Sequence, residues 1–160
     1  MPWNDWYHLM THTYGTWLPG DPKGFRTRHH REHIDGDYKN PPPAGRDAAR
    51  FEKAKSLMKR EAVHLDAAQR QRAVAEILRS FLKRQIEIKA LCIDGIHLHL
   101  LSRVTDHNPR HHMGVAKREC SHYMKMDGLA PVGGLWGVRC EVVPNVEGQK
   151  GQTSTYRASI

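Results

Sequence analysis

The chain has few cysteines, no long apolar run and fewer acidic than basic residues. Its three cysteines, Cys92, Cys120 and Cys140, lie far apart in the sequence. This number and spacing exclude a disulfide framework and a cysteine-rich zinc site, and favour buried thiols in a reducing compartment. No segment approaches the roughly 20 apolar residues that span a membrane, and the first residues lack the pattern of a signal peptide. We therefore expect a cytoplasmic protein without a membrane segment.

The shortage of acidic residues leaves a large positive charge. Lys and Arg number 25 against 17 Asp and Glu, which gives a formal net charge of +8 over 160 residues. A surplus of this size points to a polyanionic partner, and to nucleic acid before a membrane surface. The length is that of one domain with one core, so we expect a single domain over residues 1–160.

The most informative motif is a pair of histidines inside the apolar run at residues 95–101. His97 and His99 are two residues apart, so in a β-strand they point to the same face with their Cα atoms about 6.5 Å apart. Two imidazoles at this spacing can converge on one metal ion while the residues between them face a core. The alternative is a surface strand that carries two polar residues, and the motif alone leaves both interpretations open.

Hydrophobic patterning predicts alternating strands and helices. The predicted strands are residues 7–17, 88–93, 97–104 and 135–143, and the predicted helices are 47–60, one from Asp66, one from Pro109 to before Gly128, and a short one at about 146–160. Asp66 and Gln69 form a capping box, and the apolar stripe of that helix is Val74, Ile77, Leu78, Phe81 and Leu82. An Asp94-Gly95 turn predicts a hairpin. A long loop occupies about residues 21–46, which in a compact domain is typical of a functional segment.

This order of elements is typical of a split βαβ pattern. We therefore predict an α+β fold of the ferredoxin-like sandwich type, with an antiparallel sheet and helices on one face. The same topology occurs in RNA-recognition motifs. The strands here lack the pair of exposed aromatic residues in a Lys/Arg-Gly-Phe/Tyr context that stacks bases in those domains, which argues against that class.

Several segments together resemble the HUH single-tyrosine transposases, and in particular the proteins related to repeat-associated tyrosine transposases. In chain order they are TYGTWLPGD at residues 13–21, the loop at residues 31–43, the histidine strand, GVAK at 114–117, LW at 135–136, and Tyr156. The resemblance spans nearly the whole chain. It implies metal-dependent nicking and joining of single-stranded or hairpin DNA through a 5′-phosphotyrosine intermediate.

The resemblance also implies roles for individual residues. His97 and His99 would bind a divalent ion, Mg²⁺ or Mn²⁺, and Tyr156 would be the nucleophile. Neutral imidazole suits a divalent first-row ion, and such an ion offsets charge that develops at a phosphate. The usual third metal ligand, one helical turn after the tyrosine, corresponds here to Ile160, which cannot coordinate a metal. We expect Gln152, one turn before Tyr156, to replace it.

Basic residues are predicted to contact the DNA backbone, which sets affinity and salt dependence but not sequence choice. They are Lys23, Arg26, Arg28, Arg31, Arg110, Lys117 and Arg118. The histidine clusters at residues 29–33 and 107–112 are interpreted as solvated or phosphate-contacting groups in preference to metal ligands. Among the other tyrosines, Tyr123 is the rival nucleophile, although its helix carries core residues on the matching face.

The resemblance further implies a homodimer, in which the tyrosine helix of one subunit completes the site of the other.

Two alternative functions stay open. One is a catalytically inactive module that binds DNA hairpins on the same fold. The other is a protein with a histidine-bound structural metal, for which two histidines fall short of the four ligands of structural zinc sites.

Overall fold

A computed structural model describes residues 3–21 and 45–145 of the chain. These residues form two compact units, one from residues 3–14 and 63–145 and the other from residues 15–21 and 45–62. Apart from its ends, the predicted long loop lies outside the described residues. The predicted C-terminal helix at 146–160, with Gln152 and Tyr156, also lies outside them.

The larger unit is built on a four-stranded antiparallel sheet with the strand order β2-β3-β1-β4. After a short 3₁₀ helix at Trp3–Asp5, the elements in chain order are β1 (Trp6–Thr13), α1 (Ala48–Ser56), α2 (Ala67–Lys83), β2 (Glu87–Ile93), β3 (His97–Arg103), α3 (Pro109–Met126) and β4 (Trp136–Pro144). Of these, α1 belongs to the smaller unit. The prediction of an α+β fold with a ferredoxin-like antiparallel sheet is confirmed.

In the described part of the larger unit, helices α2 and α3 pack on one face of the sheet. Alternate residues of β1 and β3 point into the core between sheet and helices, as the strand period of two requires. The apolar side of α3, formed by Met113, Ala116, Cys120 and Met124, is buried throughout. The largest fully buried side chains of this core are Leu9, Ile77, Phe81, Leu98, Leu100, Met113, Met124 and Leu135.

The predicted start of α2 is confirmed by a complete capping box. The backbone N–H of Gln69 donates to Asp66 Oδ1 over 2.8 Å, and the backbone N–H of Asp66 donates to Gln69 Oε1 over 2.9 Å. The predicted apolar stripe of α2 is wrong at Leu82, whose side chain is 62% exposed. The buried face of the helix is rotated toward Glu76, whose charge is compensated by ion pairs with the two neighbouring arginines, Arg72 and Arg79, at 2.6 and 2.7 Å.

The smaller unit contains part of the conspicuous TYGTWLPGD segment. The backbone N–H of Asp21 donates to the carbonyl oxygen of Leu18 over 3.1 Å and closes a turn over residues 18–21. Gly20 has a φ of +83°, and a Cβ at this position would lie 2.7 Å from the backbone nitrogen of Phe51. The turn therefore requires glycine for both its conformation and its close approach to α1.

The three thiols are free and occupy different environments. Cys120 is fully buried, as predicted, and Cys140 is half-buried. The prediction of buried thiols is wrong for Cys92, which is exposed on β2. Cys92 is opposite His99 in the sheet register, so it shares the face that the helices do not cover.

Candidate metal centre on the open face of the sheet

Four histidines lie on the face of the sheet opposite α2 and α3, which we term the open face. His97 and His99 are on β3, and His8 and His12 are on β1. All four are half-buried, and the residues that alternate with them are buried on the helix side. We refer to these four side chains as the histidine cluster. It lies entirely within the larger unit.

Strand register brings the two pairs together. β1 and β3 are antiparallel neighbours in the interior of the sheet, and His12 is directly opposite His97. Met10 is opposite His99, so His8 is the diagonal neighbour of His99. Side chains in these relative positions on one face of a sheet are within contact distance of each other.

A hydrogen bond in the cluster joins the two strands. His8 Nε2 and His99 Nδ1 are 3.2 Å apart, and their rings are stacked with centroids 5.4 Å apart. The predicted ligand pair is less close, because the ring centroids of His97 and His99 are 6.3 Å apart. The structure therefore places the predicted ligands on one face, as expected, and adds a histidine from β1.

His97 is oriented by the hairpin turn that precedes it. Asp94 Oδ1 accepts hydrogen bonds from the backbone N–H groups of Ile96 and His97 at 2.7 and 2.5 Å, and Asp94 Oδ2 lies 3.4 Å from His97 Nδ1. Burial acts to raise the pKa of Asp94, but the two backbone hydrogen bonds and His97 outweigh it and lower that pKa. An ionised carboxylate on Nδ1 is the usual outer-shell partner of a metal-binding imidazole.

Three members of the cluster, His8, His12 and His99, favour the neutral imidazole. Burial lowers the pKa of His8 and His99, and the neighbouring histidines lower that of His99 further. Burial, with Lys117, His97 and Arg139 nearby, lowers the pKa of His12 to about 4. Neutral imidazole is the form that binds metals, so the donor set suits a divalent first-row ion.

The described part of the chain does not contain a complete cation site. Within residues 3–21 and 45–145, no three His, Cys, Asp or Glu side chains already stand in a metal-binding arrangement. The predicted further ligand Gln152 and the predicted nucleophile Tyr156 lie outside these residues. The fit to a metal therefore depends on the two motif histidines, His97 and His99, together with residues outside the described part of the chain.

The basic residues predicted to contact DNA are divided among different environments. Arg110 and Arg118 are exposed on α3, which packs on the face of the sheet opposite the histidine cluster. Lys117 is buried, and its Nζ donates to the carbonyl oxygen of Gly137 over 2.5 Å and to Thr11 Oγ1 over 3.1 Å. The remaining predicted contacts, Lys23, Arg26, Arg28 and Arg31, lie outside the described residues.

Sequence reasoning did not identify His8 and His12 as members of the site. The signal that could have found them is the alternation in β1, where His8, Met10 and His12 alternate with residues of the core. That period places both histidines on one face of the strand. It does not specify that this face adjoins His97 and His99, because the register of β1 against β3 is set by residues far apart in sequence.

No protein-family model and no curated protein matches the chain. Among solved structures, the chain is similar to one described as "Structure of the REP associates tyrosine transposase bound to a REP hairpin". The two share 11% sequence identity at a TM-score of 0.53, over 96% of this chain and 63% of the other. The chain thus spans less than two thirds of that transposase, and the likeness is one of fold. Separately, none of the helices in the described residues is long and apolar enough to cross a membrane.

Proposed function

We propose that the protein is a metal-dependent transesterase that nicks and joins single-stranded or hairpin DNA, like the tyrosine transposases it resembles. The observation that carries the proposal is the position of His97 and His99 on the open face of an interior strand. They lie there in a fold similar to that of a transposase bound to a REP hairpin. The net charge of +8 supports a polyanionic substrate.

The proposed reaction exchanges one phosphodiester for another. The hydroxyl oxygen of Tyr156 attacks the scissile phosphorus and loses its proton, a phosphorus–oxygen bond to tyrosine forms, and the bond to the 3′ oxygen breaks. The departing 3′ oxygen takes up a proton, and the 5′ phosphate stays on the tyrosine. Because the covalent intermediate keeps the bond energy, attack by a 3′ hydroxyl rejoins the strand without another energy source.

Two histidines of β3 would hold the ion that this reaction requires. His97 and His99 offer nitrogen donors from one face of β3, and Asp94 holds the Nδ1 side of His97. A bound Mg²⁺ or Mn²⁺ polarises the phosphate and offsets its developing charge. The assignment of Gln152 as a further ligand belongs to the same proposal.

The partners in this proposal are a DNA strand and a second copy of the chain. Exposed Arg110 and Arg118 on α3 are suited to phosphate contacts, which are sequence-independent. We expect a homodimer in which the tyrosine segment of one subunit serves the other. Light scattering on the purified protein tests this, and a monomeric mass at working concentration would contradict it.

The decisive experiment is a denaturing gel of the protein with end-labelled hairpin DNA and Mn²⁺. We expect the label to move to the size of the protein only with metal, and not with Tyr156→Phe or in EDTA. Tyr123→Phe is the matched control and should form the adduct like the wild type. An adduct that persists in Tyr156→Phe and is lost in Tyr123→Phe would overturn the nucleophile assignment.

A second outcome would assign a different function. Ile160 stands where the resemblance expects a metal ligand, an observation that favours a catalytically inactive module. If the hairpin is retained in a native gel but no adduct forms with any divalent ion, the protein is a DNA-hairpin-binding module on the transposase fold.

A further inference from the structure

We propose that Trp6 is a stacking subsite for a base of single-stranded DNA, with Lys89 and Arg103 as the phosphate contacts beside it. This inference rests on the proposed function, because it lays the substrate strand along the open face that carries His97 and His99. It assigns a role to an aromatic residue at the other end of that face, which neither the sequence motifs nor the predicted basic contacts include.

The first argument is the position of Trp6 on the open face. Half-buried and buried residues alternate along β1, and Trp6 belongs to the half-buried set together with the histidines of this strand. Trp6 opposite Arg103 and His12 opposite His97 mark the two ends of the pairing with β3. The rise of a strand places Trp6 about 20 Å from His12. A DNA strand laid along β1 therefore passes both the indole and the proposed metal ligands.

The second argument is the pair of cations beside the indole. Lys89 Nζ lies 5.8 Å from the centroid of the Trp6 ring, and β2 shifts its register against β3 at this lysine. An irregularity of this kind re-aims a side chain. Arg103 is opposite Trp6 in the neighbouring strand, and its Nε donates to the carbonyl oxygen of Asn4 over 3.1 Å. An aromatic ring with cations at its margin is the combination by which proteins bind single strands without sequence preference.

The third argument is that a nucleotide can replace the present partners of these cations. Cation–π contacts between exposed groups are weak. Arg103 Nη1 and Glu87 Oε2 are 4.0 Å apart and both side chains are largely exposed, so this ion pair contributes little. Stacking of a base on an aromatic ring is the stronger interaction. A phosphate therefore draws Lys89 away from the Trp6 ring, and a base takes its place.

Charge identifies a nucleic acid as the occupant of this surface. The chain has a formal net charge of +8, and Lys89 and Arg103 add two exposed cations next to the indole. In a two-fold dimer through this surface, the same cations of both subunits would face each other. Like charges across an interface are unfavourable, whereas the phosphates of a single strand are complementary to them.

The test measures the binding of a fluorescently labelled deoxythymidine homopolymer to the full-length protein by anisotropy in EDTA. This probe forms no hairpin, and the proposed cleavage does not proceed without a divalent ion. Trp6→Leu keeps an apolar side chain but removes the aromatic ring, and should weaken binding about 5–150-fold. Trp6→Phe keeps a ring and should retain most of the affinity. Affinity unchanged in Trp6→Leu would overturn the subsite.

Two further measurements distinguish stacking from a structural role. A base stacked on the indole quenches its emission, so the homopolymer should quench tryptophan fluorescence less in Trp6→Phe than in the wild type. Lys89→Gln should reduce the magnitude of the slope of log K against the logarithm of the salt concentration by about 0.7. Lys83→Gln is the matched control, because Lys83 is exposed at the end of α2 on the other side of the sheet. Unchanged quenching in Trp6→Phe, or an unchanged slope in Lys89→Gln, would contradict the inference.

Failure of this inference and failure of the proposed function give different results. If the wild type forms the metal-dependent hairpin adduct but does not bind the homopolymer, or binds it as Trp6→Leu does, the inference is wrong and the proposed function stands. If the wild type binds neither DNA, both fail. A dimer that becomes monomeric in Trp6→Leu would place a second copy of the chain on this surface and overturn the inference. Circular dichroism identifies folded variants, and if Trp6→Leu is unfolded, Trp6→Phe and Lys89→Gln decide.

Discussion

The Nζ of Lys117 donates a hydrogen bond to the carbonyl oxygen of Gly137 over 2.5 Å. A second hydrogen bond, to Thr11 Oγ1, extends the connection from α3 through β4 to β1. Burial lowers the pKa of this lysine, so the fold tolerates a costly buried amine. This cost of burial is offset because the ammonium group donates hydrogen bonds to backbone carbonyl groups at the start of β4, next to His12.

Replacement of Lys117 is therefore predicted to destabilise the protein. Lys117→Ala leaves the Gly137 carbonyl without this donor, which is expected to lower the free energy of unfolding by about 1–3 kcal/mol. Urea unfolding followed by tryptophan fluorescence measures it. Arg118→Ala, on the exposed side of the same helix, is expected to change stability by no more than about 0.5 kcal/mol. Equal stability of Lys117→Ala and the wild type would refute the structural role.

The exposed arginines of α3 are predicted to act on DNA affinity instead of stability. Arg110→Ala and Arg118→Ala should each reduce the magnitude of the slope of log K for DNA binding against the logarithm of the salt concentration by about 0.7–0.9. This is the expected effect of losing one phosphate contact. Fluorescence anisotropy with a labelled hairpin across a range of NaCl concentrations measures this slope. Lys125→Ala on the last turn of α3 is the control. Slopes unchanged in both arginine variants would remove α3 from the DNA-binding surface.

The stability of the metal-free protein is predicted to fall in acid because of His12. Its pKa is lowered from 6.5 to about 4 in the folded state, so the unfolded chain binds more protons between these values. The free energy of unfolding therefore decreases as the pH falls through this window. The free energy of unfolding of His12→Gln should depend less on pH than that of the wild type, whereas that of His64→Gln should not. Urea unfolding at several pH values, with EDTA present, tests this, and parallel curves for His12→Gln and wild type would contradict it.

Reactivity of the thiols should follow their exposure. Cys92 is exposed, whereas burial raises the pKa of Cys120 to about 12 and also raises that of Cys140. Because the thiolate is the reactive species, an aromatic disulfide reagent should modify Cys92 first and Cys120 only on unfolding. Cys92→Ser should abolish the fast phase. A fast phase that survives this substitution would place another thiol at the surface.

The local features of the fold were predictable because they depend on residues close together in sequence. The capping box at Asp66 and Gln69 and the hairpin at Asp94 each involve neighbours within three positions. The common face of His97 and His99 follows from the strand period in the same way. The exposure of Leu82 was missed because the direction of a helix face is decided by what packs against it, here through buried Glu76 and its arginines.

The composition of the site was predictable only in part, because it is assembled across strands. His8 and His99 are 91 positions apart, and no local pattern indicates their contact. The burial of Lys117 was likewise hidden, because a lysine on a basic helix side resembles its exposed neighbours in sequence. Its partners, Thr11 and Gly137, come from strands far along the chain in either direction.

The antiparallel pairing of β1 with β3 has a second consequence. The hydrogen bond between His8 and His99 joins the first strand to the central hairpin across 91 positions of chain. Neither half of the chain presents all four histidines of the cluster alone, so the open face is complete only when β1 has paired with β3. Formation of the histidine cluster therefore reports on completion of the sheet.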